Sequence, residues 1–178
     1  AFAGLGAFYS GKVDLSLQFL QRGESEGKKV GHRLGQSIFQ VVQAEVMLRL
    51  GRIEEARESA EAALPFLQEL DLVSWGDQAA EIYAEILASR TARDDKLIEE
   101  MLRRAAILVE RSESPWLRIR HQIARARVNM KMGRLEMARE SLAEARSLYK
   151  EIGLPGGSEE LRSLEAALNK SDSAPDNT

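Results

Sequence analysis

Apolar residues recur at helical spacing along almost the whole chain, and their phase divides it into helix pairs. Ile38, Val41, Val42, Ala44, Val46, Met47, Leu48 and Leu50 predict a helix with a wide apolar face that stops at Gly51. Ala56, Ala60, Ala63, Leu64, Phe66, Leu67 and Leu70 predict its partner from about Ile53. Pro65 lies inside that partner, and since the apolar period continues past it, a bend is expected there rather than an end. Ala79, Ile82, Tyr83, Ala84, Ile86 and Leu87 open a further pair, whose second face is Leu97, Ile98, Met101, Leu102, Ala105, Leu108 and Val109, with Asp94 or Asp95 as N-cap between them. Ser114-Pro115 starts the next pair, a capping side chain followed by a proline where no backbone donor is missed. Upstream, residues 1–9 read as the end of a first helix stopped near Gly11, and Val13 to about Glu24 as a second. Residues 24–34, with Gly27 and Gly31, are expected to form a connection. After the stop Gly153-Leu-Pro-Gly-Gly157, a helix from Ser158 to about Asn169 would turn Leu161, Leu164 and Leu168 inward. The tail 171–178 has no core-forming residue and is expected to be disordered.

Underneath the pairs lies a repeat. Gly51-Arg-Ile-Glu-Glu-Ala56-Arg returns 82 residues later as Gly133-Arg-Leu-Glu-Met-Ala138-Arg. With Gly11 and Arg93 as the equivalent positions elsewhere, the markers are 40, 42 and 40 residues apart. The expectation is an all-α solenoid of about four helix-turn-helix units, 1–31, 32–72, 73–112 and 113–153, closed by a cap at 158–170 within one domain, 1–170.

Small residues stand at Gly4, Ala44, Ala84 and Ala126 in the first helices. The second helices carry the trios Ser16/Leu20/Gly23, Ala56/Ala60/Ala63, Ile98/Leu102/Ala105 and Ala138/Leu142/Ala145. Together with the turn glycines, this pattern resembles the tetratricopeptide repeat over roughly residues 1–153, with units longer than the usual length of about 34 residues. Longer units ending in a segment like Ala143-Glu-Ala-Arg-Ser-Leu-Tyr-Lys-Glu-Ile-Gly153 are similar to the C-terminal repeat regions of bacterial signalling proteins, where a cyclase or transcription-activating ATPase domain precedes the repeats. The resemblance implies first helices lining a concave face. By phase, Tyr9, Glu45, Arg49, Glu81, Glu85, Arg120, Arg127 and Lys131 would lie there. Arg120, Arg127 and Lys131 share one helix face and suit a carboxylate, a phosphate or an acidic peptide, or else they pair with Glu81 and Glu85 of the preceding unit. The Lys and Asn clamp by which some family members hold peptide carboxylates is not matched: Val41 with Glu45, Glu81 with Glu85 and Ile123 with Arg127 stand at its places.

Composition narrows the setting. The 178 residues are 44% hydrophobic and 30% charged and include no cysteine, which excludes disulfides and thiolate chemistry. No apolar run is long enough to cross a bilayer, so a cytoplasmic protein without a membrane partner is expected. The chain begins at alanine, which suggests a piece of something longer. The net charge of −3 conceals a block from Arg103 to Arg139 with ten basic and three acidic residues. Steering of a charged partner and pairing with acidic neighbours both account for it.

Candidate chemistry is sparse. His32 and His121 fall in different units without metal-ligand spacing, and neither Gly4-Leu-Gly6 nor Gly153-Leu-Pro-Gly-Gly157 makes a phosphate-cradling loop. No catalytic, cofactor or metal residue is assigned. Nucleic acid is not expected as a partner: the pI is about 5.6, and Trp75 and Trp116 each precede a first helix, as tryptophans packed between units would. The reading is a non-enzymatic scaffold for a protein or peptide partner of acidic character, forming a regulatory region of a larger signalling protein. The alternative keeps the fold but makes it a dimerisation or small-ligand sensor module for an attached domain, with Phe2, Phe8 and Phe19 exposed in a homodimer.

Overall fold

In a computed structural model, residues 1–172 are described, and they form an all-α chain of consecutive helices. These are α1 (Phe2–Tyr9), α2 (Val13–Lys29), α3 (Arg33–Arg49), α4 (Ile53–Glu69), α5 (Gly76–Ala88), α6 (Asp95–Ser112), α7 (Pro115–Lys131), α8 (Leu135–Glu151) and α9 (Glu159–Asp172). The chain separates into two compact units, 1–108 and from Val109 onward, the division falling within α6.

In the first unit α1 packs on α2, α2 on α3, α3 on α4 and α4 on α5, while α1, α3 and α5 also touch in succession. The repeat positions form the interior. Ala44, Ala56, Ala63, Ala84, Ile98 and Ala105 have no exposed surface, and Ser16 and Leu20 are equally hidden. Alanine is selected here because helix backbones approach closely only where side chains are short. Asp94 caps α6, its Oδ1 accepting from Leu97 N–H at 3.1 Å. Pro65 sits inside α4 without ending it.

One expected boundary is wrong. Residues 24–34 are not a connection, because α2 continues through Gly23 and Gly27 to Lys29. These glycines mark close approach rather than a break: a Cβ on Gly23 would lie 2.1 Å from Phe39 Cε1, and one on Gly27 3.5 Å from the backbone nitrogen of Gln36, both on α3. The actual turn is shorter and centres on Gly31.

The repeated turns share one geometry. At Gly51, φ is +75°, Gly51 N–H donates to Leu48 O at 3.1 Å and Arg52 N–H to Met47 O at 2.9 Å. Gly133 repeats this at φ +74°, with Gly133 N–H to Met130 O at 3.1 Å and Arg134 N–H to Asn129 O at 2.9 Å. A left-handed residue closing these two bonds satisfies the last carbonyls of the helix, and glycine adopts it without strain.

In the second unit α7 packs on α8, α8 on α9, and α7 also reaches α9. Ser114 Oγ accepts from Leu117 N–H at 3.5 Å, with Pro115 in the first turn of α7. Ile119, Ile123, Ala126, Ala138, Leu142, Ala145 and Tyr149 make the core, which α9 closes with Leu161 and Leu168 buried and Leu164 half-buried. Ser158 Oγ caps α9 by accepting from Leu161 N–H at 3.1 Å. The helix runs three residues past its expected end at Asn169, and residues 173–178 of the expected disordered tail lie outside the described residues.

Candidate functional site

The residues expected on one face of the first helices in the first unit do come together, and they meet one another. Tyr9 on α1 donates its hydroxyl to Glu45 Oε1 on α3 at 2.9 Å, and Gln78 on α5 donates to Glu45 Oε2 at 3.0 Å. Arg49 on α3 grips Glu85 on α5 through two bonds, Nη1 to Oε1 at 2.6 Å and Nη2 to Oε2 at 3.1 Å. Glu85 is 2% exposed, so its charge is compensated by a bidentate guanidinium rather than by water. Glu81 is buried one turn before it and Asp77 one turn before that, three carboxylates at four-residue spacing on one face of α5. Tyr83, also on α5, donates to Glu61 on α4 at 3.0 Å, and partial burial together with that bond raises its hydroxyl pKa.

The second unit holds a more open arrangement. A cleft of about 310 Å³ lies between α7, the end of α8 and the start of α9. Its floor is Ile119, Ile123 and Tyr149, all buried. Trp116 forms a wall at 55% exposure, its ring meeting Tyr149 edge-on with centroids 6.1 Å apart. Arg120, Arg127, Ser158 and Glu160 supply the polar rim. Arg127 Nη1 binds Glu160 Oε1, linking α7 to the first turn of α9. The volume is at the small end of the roughly 300–1,000 Å³ typical of ligand sites, room for one or two large side chains.

Of the three basic residues expected to act together, Arg120 and Arg127 line this cleft and Lys131, exposed at the end of α7, does not. Trp116 departs from the expectation that both tryptophans pack between units. Trp75 does pack, against the cluster of Leu20, Val42 and Val46 and against Phe2 at 5.9 Å, whereas Trp116 follows Pro115 in the first turn of its helix and keeps half its surface in solvent. Within the basic block, Arg104 pairs locally with Glu100 at 2.7 Å, and Arg139 with Glu136.

A neighbouring cleft of about 340 Å³ between α8 and α9 is bridged by Arg146, whose Nε donates to Glu165 Oε1 at 2.7 Å. That ion pair occupies its polar groups and raises the arginine pKa further. Among the described residues, no helix is long and apolar enough to cross a membrane, and no group of three or more potential ligands is placed to hold a metal ion.

No family model matches the chain, and no curated protein matches it. The site therefore stands on its own geometry. Tyr149, Ser158 and Glu160 are cleft residues that the phase of the first helices does not reveal, because they belong to a second helix and to the start of α9. Asp77 joins Glu81 and Glu85 at a four-residue spacing from Glu81 that is legible in the sequence.

Proposed function

We propose that the chain is a non-enzymatic interaction module of tetratricopeptide-like type, binding a segment of a partner protein as a regulatory region of a larger signalling protein. The observation that carries this is Trp116, half-exposed above an apolar floor and beside an arginine rim. Exposed tryptophan over a desolvated floor is the composition of an interface anchor point. The tetratricopeptide-like and signalling parts of the reading rest on the sequence resemblance.

Selection of a phage-displayed random peptide library tests it, using the immobilised chain and its Trp116→Ser variant side by side. Enrichment of a shared motif by the wild type and not by the variant supports the reading. Failure of the wild type to enrich any motif overturns it.

A second reading, dimerisation in the service of an attached domain, has a separate observation behind it. Phe2 is 76% and Phe19 42% exposed, and Leu15, one turn from Phe19 on α2, is 38% exposed. Sedimentation of the wild type and of Leu15→Glu/Phe19→Glu decides it: a dimer that the double substitution splits favours this reading, and a wild-type monomer removes it.

A further inference from the structure

Glu45 is a carboxylate held in place without a cation. The Tyr9 hydroxyl donates to its Oε1 at 2.9 Å and Gln78 Nε2 to its Oε2 at 3.0 Å, and among the described residues no basic side chain pairs with it. Arg49, one turn further along α3, gives both terminal nitrogens to Glu85 instead. Each Glu45 oxygen accepts one bond and has capacity for a second, and the residue is half-buried, so solvent reaches it. Two aromatic rings stand on the α1 side of this carboxylate. Tyr9 is 67% and Phe2 76% exposed, seven residues apart on one face of α1 and so about 10 Å apart along its axis. Phe2 leans on Trp75, their centroids 5.9 Å apart. The segment from Phe2 to Tyr9 carries no charged residue that would compete with Glu45 for a cation or repel one.

We propose that this face of α1 and α3 takes an arginine from an extended segment of a partner protein, its guanidinium forked onto Glu45 and stacked on the Tyr9 ring, while an apolar side chain three residues away covers Phe2. Charge complementarity selects the cation, because a fixed carboxylate with neutral donors gains most from a positive partner. Arginine suits it better than lysine. A guanidinium presents two parallel N–H groups to two carboxylate oxygens, as Arg49 does to Glu85, and its plane lies on an aromatic face, whereas an ammonium is a point charge. Spacing sets the second contact: extended backbone advances about 3.3 Å per residue, so three residues span the distance from Tyr9 to Phe2. The surface shares no residue with the Trp116 cleft and does not depend on the reading of that cleft.

Amide NMR titration tests this with three octapeptides of glycine and serine: one carrying an arginine and, three residues on, a leucine, and two in which citrulline or lysine replaces the arginine. The arginine peptide is expected to bind the chain, and the citrulline peptide, which keeps the shape and loses the charge, to bind about ten-fold more weakly. The arginine peptide is expected to lose about the same factor on Glu45→Gln and about five-fold on Phe2→Ser. The citrulline comparison uses the unaltered chain and Phe2→Ser alters an exposed side chain, so both stay decisive should Glu45→Gln misfold. No binding of the arginine peptide, equal binding of the citrulline or lysine peptide, or undiminished binding by Glu45→Gln overturns the proposal. Trp116→Ser is expected to leave the arginine peptide's affinity unchanged. A loss there places the peptide in the Trp116 cleft, which overturns this proposal and leaves the reading of that cleft standing.

Discussion

Arg49 and Glu85, 36 residues apart, hold each other through two parallel hydrogen bonds of 2.6 and 3.1 Å. Tyr9 and Glu45 are separated by the same 36 residues and bonded at 2.9 Å. Each pair joins the last residue of one first helix to the C-terminal part of the next, so a periodic sequence produces periodic cross-braces. Polar residues on this face of the first unit thus fix the register between successive units.

Because Glu85 is almost fully buried, removing Arg49 takes away the bidentate guanidinium that compensates its charge. Arg49→Met is expected to lower stability by about 3 kcal/mol, whereas Arg49→Met/Glu85→Leu loses clearly less. Urea denaturation monitored by circular dichroism measures both, and a single variant within about 0.5 kcal/mol of wild type shows that the pair contributes little.

Glycines of one composition should respond oppositely. Gly6 on α1 has nothing within 4 Å of an added Cβ, so Gly6→Ala gains up to about 1 kcal/mol from helix propensity. Gly23→Ala drives a methyl into the Phe39 ring and is expected to cost about 1–3 kcal/mol. Adding Phe39→Leu to Gly23→Ala should recover part of that loss. Thermal melts of the three variants decide, and a stabilising Gly23→Ala shows that the ring moves aside freely.

At the turn, the constraint is conformational rather than steric. Nothing surrounds Gly51, yet its φ of +75° lies where a side chain is strained. Gly51→Ala should cost about 1 kcal/mol and Gly51→Asn less, since asparagine tolerates the left-handed region. Equal melting temperatures for the two variants contradict this.

Acid should weaken the first turn of α4. Hydrogen bonding from Arg57 holds the Glu54 carboxyl below its ordinary value of 4.5, and Arg52 does the same for Glu55. A carboxyl whose folded pKa is depressed stabilises the fold above its unfolded pKa, and that contribution disappears as pH falls through the folded value. The melting temperature should therefore drop as pH falls below about 4.5, and by less in Arg52→Gln/Arg57→Gln. Parallel curves for the variant and wild type would mean that these exposed pairs do not couple to folding.

Most of the fold was legible in the sequence because buried apolar positions recur at the helical period. The Gly51 and Gly133 motifs, the Ala56/Ala60/Ala63 trio and the Ser114-Pro115 start each report a local backbone requirement, and each appears in the structure where the pattern placed it. The misreading of Gly23 and Gly27 has a definite cause. Glycine signals either a turn or a close approach, and only the position of Phe39 and Gln36 on the neighbouring helix distinguishes the two.

By itself, then, the sequence determined the all-α class, the pairing of helices and which residues share each face, since these follow from periodicity and local conformational preference. Tertiary structure alone decided which charges meet. Glu85 takes Arg49, Arg127 takes Glu160, and Trp116 and Tyr149, 33 positions apart, meet edge-on. Side chains on a common face leave their partners open, and the choice among several oppositely charged candidates depends on distances of a few ångströms that only the packed helices define.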